Sequence, residues 1–318
     1  MLSLLVSRAL DGQRVERNDV DFLIDYPDLE ALIEAAHHVT QSCASPVFNV
    51  CTIINAKAGR CSENCRWCAQ SKHYPTHVAA TPMVNVDRGL DAEARARAND
   101  IHRLSYVTAG RKLSRNEMRA LMPVIEATSK GDVDICASLG LMTEEELRTL
   151  KASGLTRYHC HLETGRNFFP KVCTSHTYDD KCRTIEAARR AGLDLCSGGL
   201  FGMGETMADR LDLACDLARL GIGSIPMNFL HPIPGTPLEA MPLLTDDEVL
   251  RTITAFRLIN PKACLRFAGG RMRLSDSVVR RALHAGINGA IVGDLLTTAG
   301  STVANERHLA VEAGYRIR

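Results

Sequence analysis

The chain reads as an α/β protein, a (β/α)8 TIM-type barrel with an N-terminal helical extension. Three observations predict it. Eight short apolar runs alternate with longer, charged, amphipathic stretches, the rhythm of strands alternating with helices. Several of those stretches open on helix-capping residues and close at glycine. No Pro/Ser-rich linker or block of charge cuts the chain, so residues 46–318 are expected to form one barrel that includes a C-terminal segment.

Taken in order, residues 1–45 form the extension, where Leu29, Leu32, Ile33 and Ala36 fall at helical spacing. Strands are predicted at Asn49–Asn55, Leu104–Gly110, Val133–Leu139, Arg157–Glu163, Asp194–Leu200, Ser224–Leu230, Cys264–Gly270 and Gly289–Gly293. Helices are predicted between them at Arg88–Arg103, Ser114–Ser129, Thr143–Ala152, Thr177–Arg190, Met207–Leu220, Asp246–Ile259 and Asp276–Ala285. Ser114 with Glu117, and Thr143 with Glu146, make capping boxes that satisfy the first free N–H groups of a helix. Gly192, Gly221 and Gly286 stand where helices stop. Such a barrel binds its ligands at the C-terminal ends of its strands, so the loop after the first strand belongs to the catalytic face.

Composition excludes several classes. With 38 basic and 37 acidic residues the net charge is +1, which leaves no electrostatic footprint for nucleic acid or an anionic membrane. The apolar stretches fall far short of the roughly 18 residues that span a bilayer. Met1–Val6 is a short apolar start without a basic leader or cleavage site. Twelve cysteines in such a chain argue for reduced thiols and metal ligation rather than disulfides, and for a cytoplasmic location.

Cys61, Cys65 and Cys68, spaced C-x3-C-x2-C, carry the chemistry. Three thiolates in eight residues can hold three irons of a four-iron cluster and offer no fourth ligand. The open coordination position on a redox-active cluster implies a reaction. Zinc would want four ligands, usually in two separated pairs, and no second C-x2-C exists. A zinc-binding structural protein is therefore the alternative from outside the enzymes. The spacing, with Trp67 just before the last cysteine, resembles the signature of the radical S-adenosylmethionine (SAM) superfamily. That resemblance implies a 4Fe-4S cluster whose free iron chelates SAM and whose electron cleaves it to a 5′-deoxyadenosyl radical.

Further segments narrow the resemblance. Asp134-Ile135-Cys136, Arg157 to Thr164, Asp194 to Thr206 with its glycine-rich turn, and Pro226 to Leu230 appear in order. Gly235 to Leu238, Leu265 to Arg271 and Val292 to Thr298 follow. From about residue 47 to the C-terminus this set resembles the biotin synthase family. The family implies sulfur insertion into dethiobiotin, with two SAM molecules consumed per biotin and the sulfur drawn from an auxiliary iron–sulfur cluster deeper in the barrel. It also implies an electron donor such as flavodoxin or ferredoxin, and a homodimer. Another radical SAM enzyme of the same branch, such as a maturase, a methylase or a sulfur-inserting relative, is the alternative among enzymes.

The family usually holds its auxiliary cluster with three cysteines and an arginine. Cys136, Cys196 and Arg266 match three of those positions, whereas Ser105 stands where the other cysteine is usual. Cys51 lies on the neighbouring first strand, at a position that is usually serine. The expectation is a relocated thiol, with Cys51, Cys136, Cys196 and Arg266 holding a 2Fe-2S cluster or one of higher nuclearity. The competing reading makes Cys51 a small buried hydrophobe. The remaining cysteines are read as structural: Cys160 faces away from its histidine neighbours, Cys173 lies in a loop, and Cys264 is a reserve ligand. For SAM, the resemblance implies Trp67 near the adenine, Ala109 and Gly110 against the methionine part, Glu163 on the ribose, and Lys181 near the SAM carboxylate. His161 falls between ribose and substrate, and His159 and Asn228 fall to dethiobiotin, with the Asn228 amide suited to a urea.

Overall fold

The computed structural model describes residues 1–298 and 300–317. Two helices precede the first strand, α1 (Leu2–Leu10) and α2 (Leu29–Cys43). The chain then alternates β1 (Asn49–Lys57), α3 (Val86–Ala98), β2 (Arg103–Thr108), α4 (Arg115–Thr128), β3 (Asp134–Ser138), α5 (Glu144–Ala152) and β4 (Arg157–His159). It continues through the short α6 (Phe169–Val172), α7 (Tyr178–Arg190), β5 (Asp194–Cys196), β6 (Gly199–Phe201), α8 (Met207–Arg219) and β7 (Ser224–Phe229). The last elements are α9 (Asp246–Ile259), β8 (Cys264–Phe267), α10 (Asp276–Ala285), β9 (Ile287–Val292) and α11 (Val303–Glu312).

All strand pairs are parallel, in the order β5-β4-β3-β2-β1-β9-β8-β7-β6. A bridge between Cys196 of β5 and Ser224 of β7 closes the ring. Here β5 and β6 are two pieces of one predicted strand, so the barrel has eight staves. The break falls at Ser197-Gly198, where a Cβ on Gly198 would sit 1.9 Å from the Pro226 carbonyl oxygen. Only glycine permits that close approach. The predicted strand at Arg157–Glu163 is also shorter: regular pairing ends at His159, and Glu163, at φ 74°, rejoins the sheet only through an isolated bridge to Gly199.

The helices obey their caps. Ser114, Thr143, Thr177, Thr206 and Thr245 each accept from the backbone three residues on, with a reciprocal acidic side chain. These caps follow the strand ends, so five helix N-termini sit on the same face as the loop after β1. The helix predicted at Arg88–Arg103 stops at Ala98, because Asp100 turns the chain at φ 48° and frees Arg103 for β2. Short α6 and α11 were not predicted.

The N-terminal extension is packed, not pendant. Leu32, Ile33, Ala36 and Val39 of α2 join the core built by the barrel helices. His37 stacks on His284 of α10 at 3.7 Å between ring centroids, and Thr40 donates to the Ala285 carbonyl. Among the described residues no helix is long and apolar enough to cross a membrane.

Candidate active site

The loop that follows β1 is fastened before it does anything else. Cys61 N–H donates to the Gln70 carbonyl, and Lys72 N–H donates back to the Cys61 carbonyl, each at 2.9 Å. Cys68 N–H donates to the Cys65 carbonyl, and the Gln70 side chain accepts from Gly59 N–H. The loop docks on residues 172–176: Asn64 Oδ1 accepts from Thr174 and Ser175 N–H, both at 3.0 Å, and Arg66 N–H donates to the Val172 carbonyl. Backbone hydrogen bonding thus sets where the three thiols stand.

Cys61, Cys65 and Cys68 line one rim of a cavity of about 410 Å³ at the C-terminal ends of the strands. The same wall holds Trp67, Ala109, Gly110, His159, His161, Glu163, Lys181 and Asn228, so the structure brings every residue expected for SAM or substrate to one space. The described residues do not gather the three loop thiols within 4.8 Å of one another, as a single ion would need. A cluster whose irons occupy separate corners places its thiolates farther apart, and the donor set fits such a group.

Several details qualify individual residues. Trp67 packs beside a small apolar cluster of Phe168, Val172, Leu200, Met203, Leu230 and Leu238, a surface suited to a flat aromatic group. Glu163 carries a left-handed backbone, rare for a residue with a Cβ, and is pinned there by two bonds to the β6 stretch. Burial raises its carboxyl above the ordinary range. Lys181 Nζ donates to the His161 carbonyl at 2.7 Å and lies 3.9 Å from Glu163. Burial opposes its charge, but Glu163 and nearby thiols outweigh that and raise it above its usual value. His161 is pushed down to about 4, first by burial and then by Lys181, and is a neutral imidazole at pH 7. Asn228 donates to the Gly199 carbonyl and accepts from Gly269 N–H, both at 2.9 Å. An amide has two donors and two acceptor sites, so one of each remains for a ligand.

Beneath this cavity lies a second set of sulfur atoms. Cys51, Cys136 and Cys196 are buried on β1, β3 and β5. Arg266 on β8 is 2% exposed and has no carboxylate partner among the described residues. Its guanidinium donates to Cys51 Sγ at 2.9 Å, Asn49 Oδ1 at 2.8 Å, Ser224 Oγ at 3.1 Å and Cys264 Sγ at 3.4 Å. Burial opposes that charge, yet the thiols of Cys264, Cys51, Cys196 and Cys136 raise its pKa overall. A buried cation needs a compensating anion, and a thiolate-bound cluster supplies one. Two orphaned atoms make the same point: Ser105 Oγ and His159 Nε2 are buried without a hydrogen-bond partner among the described residues. His159, His161 and Cys196 place ligand atoms within 4.8 Å of one another, so His159 also faces the sulfur layer. Register puts Ser105 beside Cys136 and beside Ile53, two residues along β1 from Cys51. A smaller cavity of about 320 Å³, lined among others by Asn49, Arg157, Cys264 and Arg266, lies at the opposite end of the layer.

Comparison with known proteins agrees with this architecture. Residues 57–217 match the model of the Radical SAM superfamily, and residues 226–316 match the Biotin and Thiamin Synthesis associated domain. A biotin synthase of Porphyromonas gingivalis is 45% identical over 318 residues, which is 100% of this chain and 96% of the relative. One from Clostridium botulinum is 42% identical over 98% of this chain and 97% of its own. The chain belongs to the biotin synthase family. Among solved structures, the FeFe-hydrogenase maturase HydG of Carboxydothermus hydrogenoformans aligns with TM-score 0.83 at 14% identity, covering 99% of this chain and 79% of that one. Methylornithine synthase aligns with TM-score 0.81 at 16% identity, covering 99% and 97%. At such identities these two share the fold alone.

Within this family member, Cys160 turns its Sγ toward α7, 3.8 Å from the Lys181 carbonyl oxygen, while the residue also lines the cavity. Cys173 is the residue that sequence reasoning undervalued. It lies against the cluster loop, its Sγ 3.7 Å from Cys65 Sγ and 3.4 Å from His176 Nδ1. The hydrogen bond that Cys65 donates to it, followed by burial, raises the Cys65 thiol. The signal available was the run Cys173-Thr174-Ser175-His176, two soft ligands three residues apart ahead of a helix.

Proposed function

We propose that this chain converts dethiobiotin to biotin by SAM-dependent sulfur insertion. Cys61, Cys65 and Cys68 would hold the SAM-binding 4Fe-4S cluster, and Cys51, Cys136 and Cys196 with Arg266 the auxiliary one. The observation that carries the reading is two sulfur sets in one barrel, one lining the cavity and one buried on the strands below it. When bound, these groups supply a carbon-centred radical and the sulfur atom, chemistry that no side chain provides.

The protein's own part is placement. Glu163 accepts from vicinal hydroxyls with both carboxylate oxygens, while Lys181 keeps its charge and offers it to a carboxylate. Ala109 and Gly110 bring bare backbone to the ligand, and Trp67 closes the apolar end. The spare donor and acceptor of Asn228 match a cyclic urea. His161, neutral, spans the two ligands, and His159 stands between substrate and sulfur layer. The apolar wall excludes water, which protects a radical from side reactions. The reading carries with it a one-electron donor such as flavodoxin or ferredoxin, a homodimer, and a cytoplasmic location.

The test is an anaerobic incubation of reconstituted protein with SAM, a strong reductant and dethiobiotin, read by mass spectrometry. Biotin and 5′-deoxyadenosine are expected, and neither from Cys61→Ala. Deoxyadenosine without biotin or a thiolated intermediate would move the substrate to another member of the branch.

A further inference from the structure

The segment that anchors the cluster loop also carries ligands of its own. Cys65, Cys173 and His176 place their ligand atoms within 4.8 Å of one another. A tetrahedral ion with metal–sulfur bonds of about 2.3 Å holds two thiolates about 3.8 Å apart. Cys65 and Cys173 stand at 3.7 Å. The His176 ring lies against the same pair: its Nδ1 is 3.4 Å from Cys173 Sγ, close to the roughly 3.6 Å that a tetrahedral ion sets between a nitrogen and a thiolate ligand. Glu63 Oε2 lies 2.6 Å from the same nitrogen and holds the ring in this place, so an ion takes that nitrogen in exchange for the Glu63 contact. Glu63 is itself buried and fixed by Ser175 Oγ at 2.9 Å, with Arg111 at 3.8 Å. Cys65, His176 and Glu63 all line the 410 Å³ cavity, so an ion reaches them through its mouth.

We infer that the cluster-free chain binds one thiophilic divalent cation, zinc or ferrous iron in class, through Cys65, Cys173 and His176. The ion takes the His176 Nδ1 from Glu63, and the fourth position is left to water. The site shares Cys65 with the loop that would hold the SAM-binding cluster. An ion bound here removes that thiolate from cluster assembly, so the two occupants exclude one another. The inference rests on ligand geometry and not on the identity of the substrate.

Cobalt(II) is the probe, because thiolate ligation gives it an intense near-ultraviolet charge-transfer band and tetrahedral visible bands. Titrated anaerobically into the full-length, reduced, cluster-free protein, it is expected to saturate at one equivalent with a two-thiolate spectrum. Cys173→Ser and His176→Gln are expected to lose that spectrum, and Cys61→Ser to keep it. Protein already loaded with the loop cluster takes up none. In a second arm, a stoichiometric amount of zinc before reconstitution slows iron and sulfide uptake by the parent chain but not by Cys173→Ser. Cobalt bound equally by Cys173→Ser, or lost in Cys61→Ser, would place the ion in the loop alone and overturn the assignment. So would the absence of a saturable thiolate band. Because His176→Gln removes a different side chain, misfolding of Cys173→Ser alone leaves the assignment open to disproof.

Discussion

Ser105 and Cys51 decide how the sulfur layer is built. A hydroxyl buried with no partner costs about 1–3 kcal/mol, so Ser105 Oγ is not at rest in a bare barrel. Arg266, surrounded by thiols and carbonyl-type acceptors, asks for negative charge in the same place. Both facts fit a cluster whose third thiolate comes from β1 in place of β2. Cys51→Ala is expected to cut iron and sulfide bound per chain and to change the visible spectrum. Adding Ser105→Cys to that variant returns the ligand to β2 and should restore the iron. Unchanged iron in Cys51→Ala would make Cys51 a packing residue. The family resemblance pointed to Cys51, Cys136, Cys196 and Arg266. The sequence did not expose the hydrogen bond from Arg266 to Cys51 or the proximity of Cys173 to Cys65, because each joins residues far apart in the chain.

At the scale of elements, the capping pattern made α4 and α5 legible, since each cap is written within four residues. The breaks were not. Gly198 divides a stave because of a Pro226 carbonyl on the neighbouring strand, and periodicity carries no trace of that neighbour. Arg257 is a similar case. It reads as the polar face of α9, yet it is fully buried and donates to the carbonyls of Pro261, Ala263 and Gly286. At the mouth, Lys57 at the end of β1 pairs with Glu117 of the α4 capping box at 2.6 Å. That hydrogen bond, aided by the Ser114 backbone and hydroxyl, holds the Glu117 carboxyl down to about 2. The sign follows: a depressed carboxylate contributes stability above its ordinary pKa of 4.5, lost as pH falls through about 2. With about a quarter of the side chain exposed, the contribution is about 1 kcal/mol. Urea unfolding of Glu117→Gln should show that loss at pH 7 and a smaller difference from the parent chain near pH 3. An equal difference at both values would remove the ion pair as its cause.

For the whole molecule, alternation of apolar and amphipathic segments was sufficient for a barrel, and the barrel geometry does the rest. Parallel strands deliver Cys51, Cys136, Cys196 and Arg266 to one level from four staves, while the loop after β1 delivers three thiols to the rim. The central claim is that the sulfur layer is consumed as the source of the product's sulfur. The direct measurement is one turnover by protein whose clusters were rebuilt with isotopically heavy sulfide, then freed of unbound sulfide, in the presence of SAM, reductant and dethiobiotin. Biotin carrying heavy sulfur, with a matching loss from the protein, is the predicted result. Biotin carrying only light sulfur from solution would contradict the account.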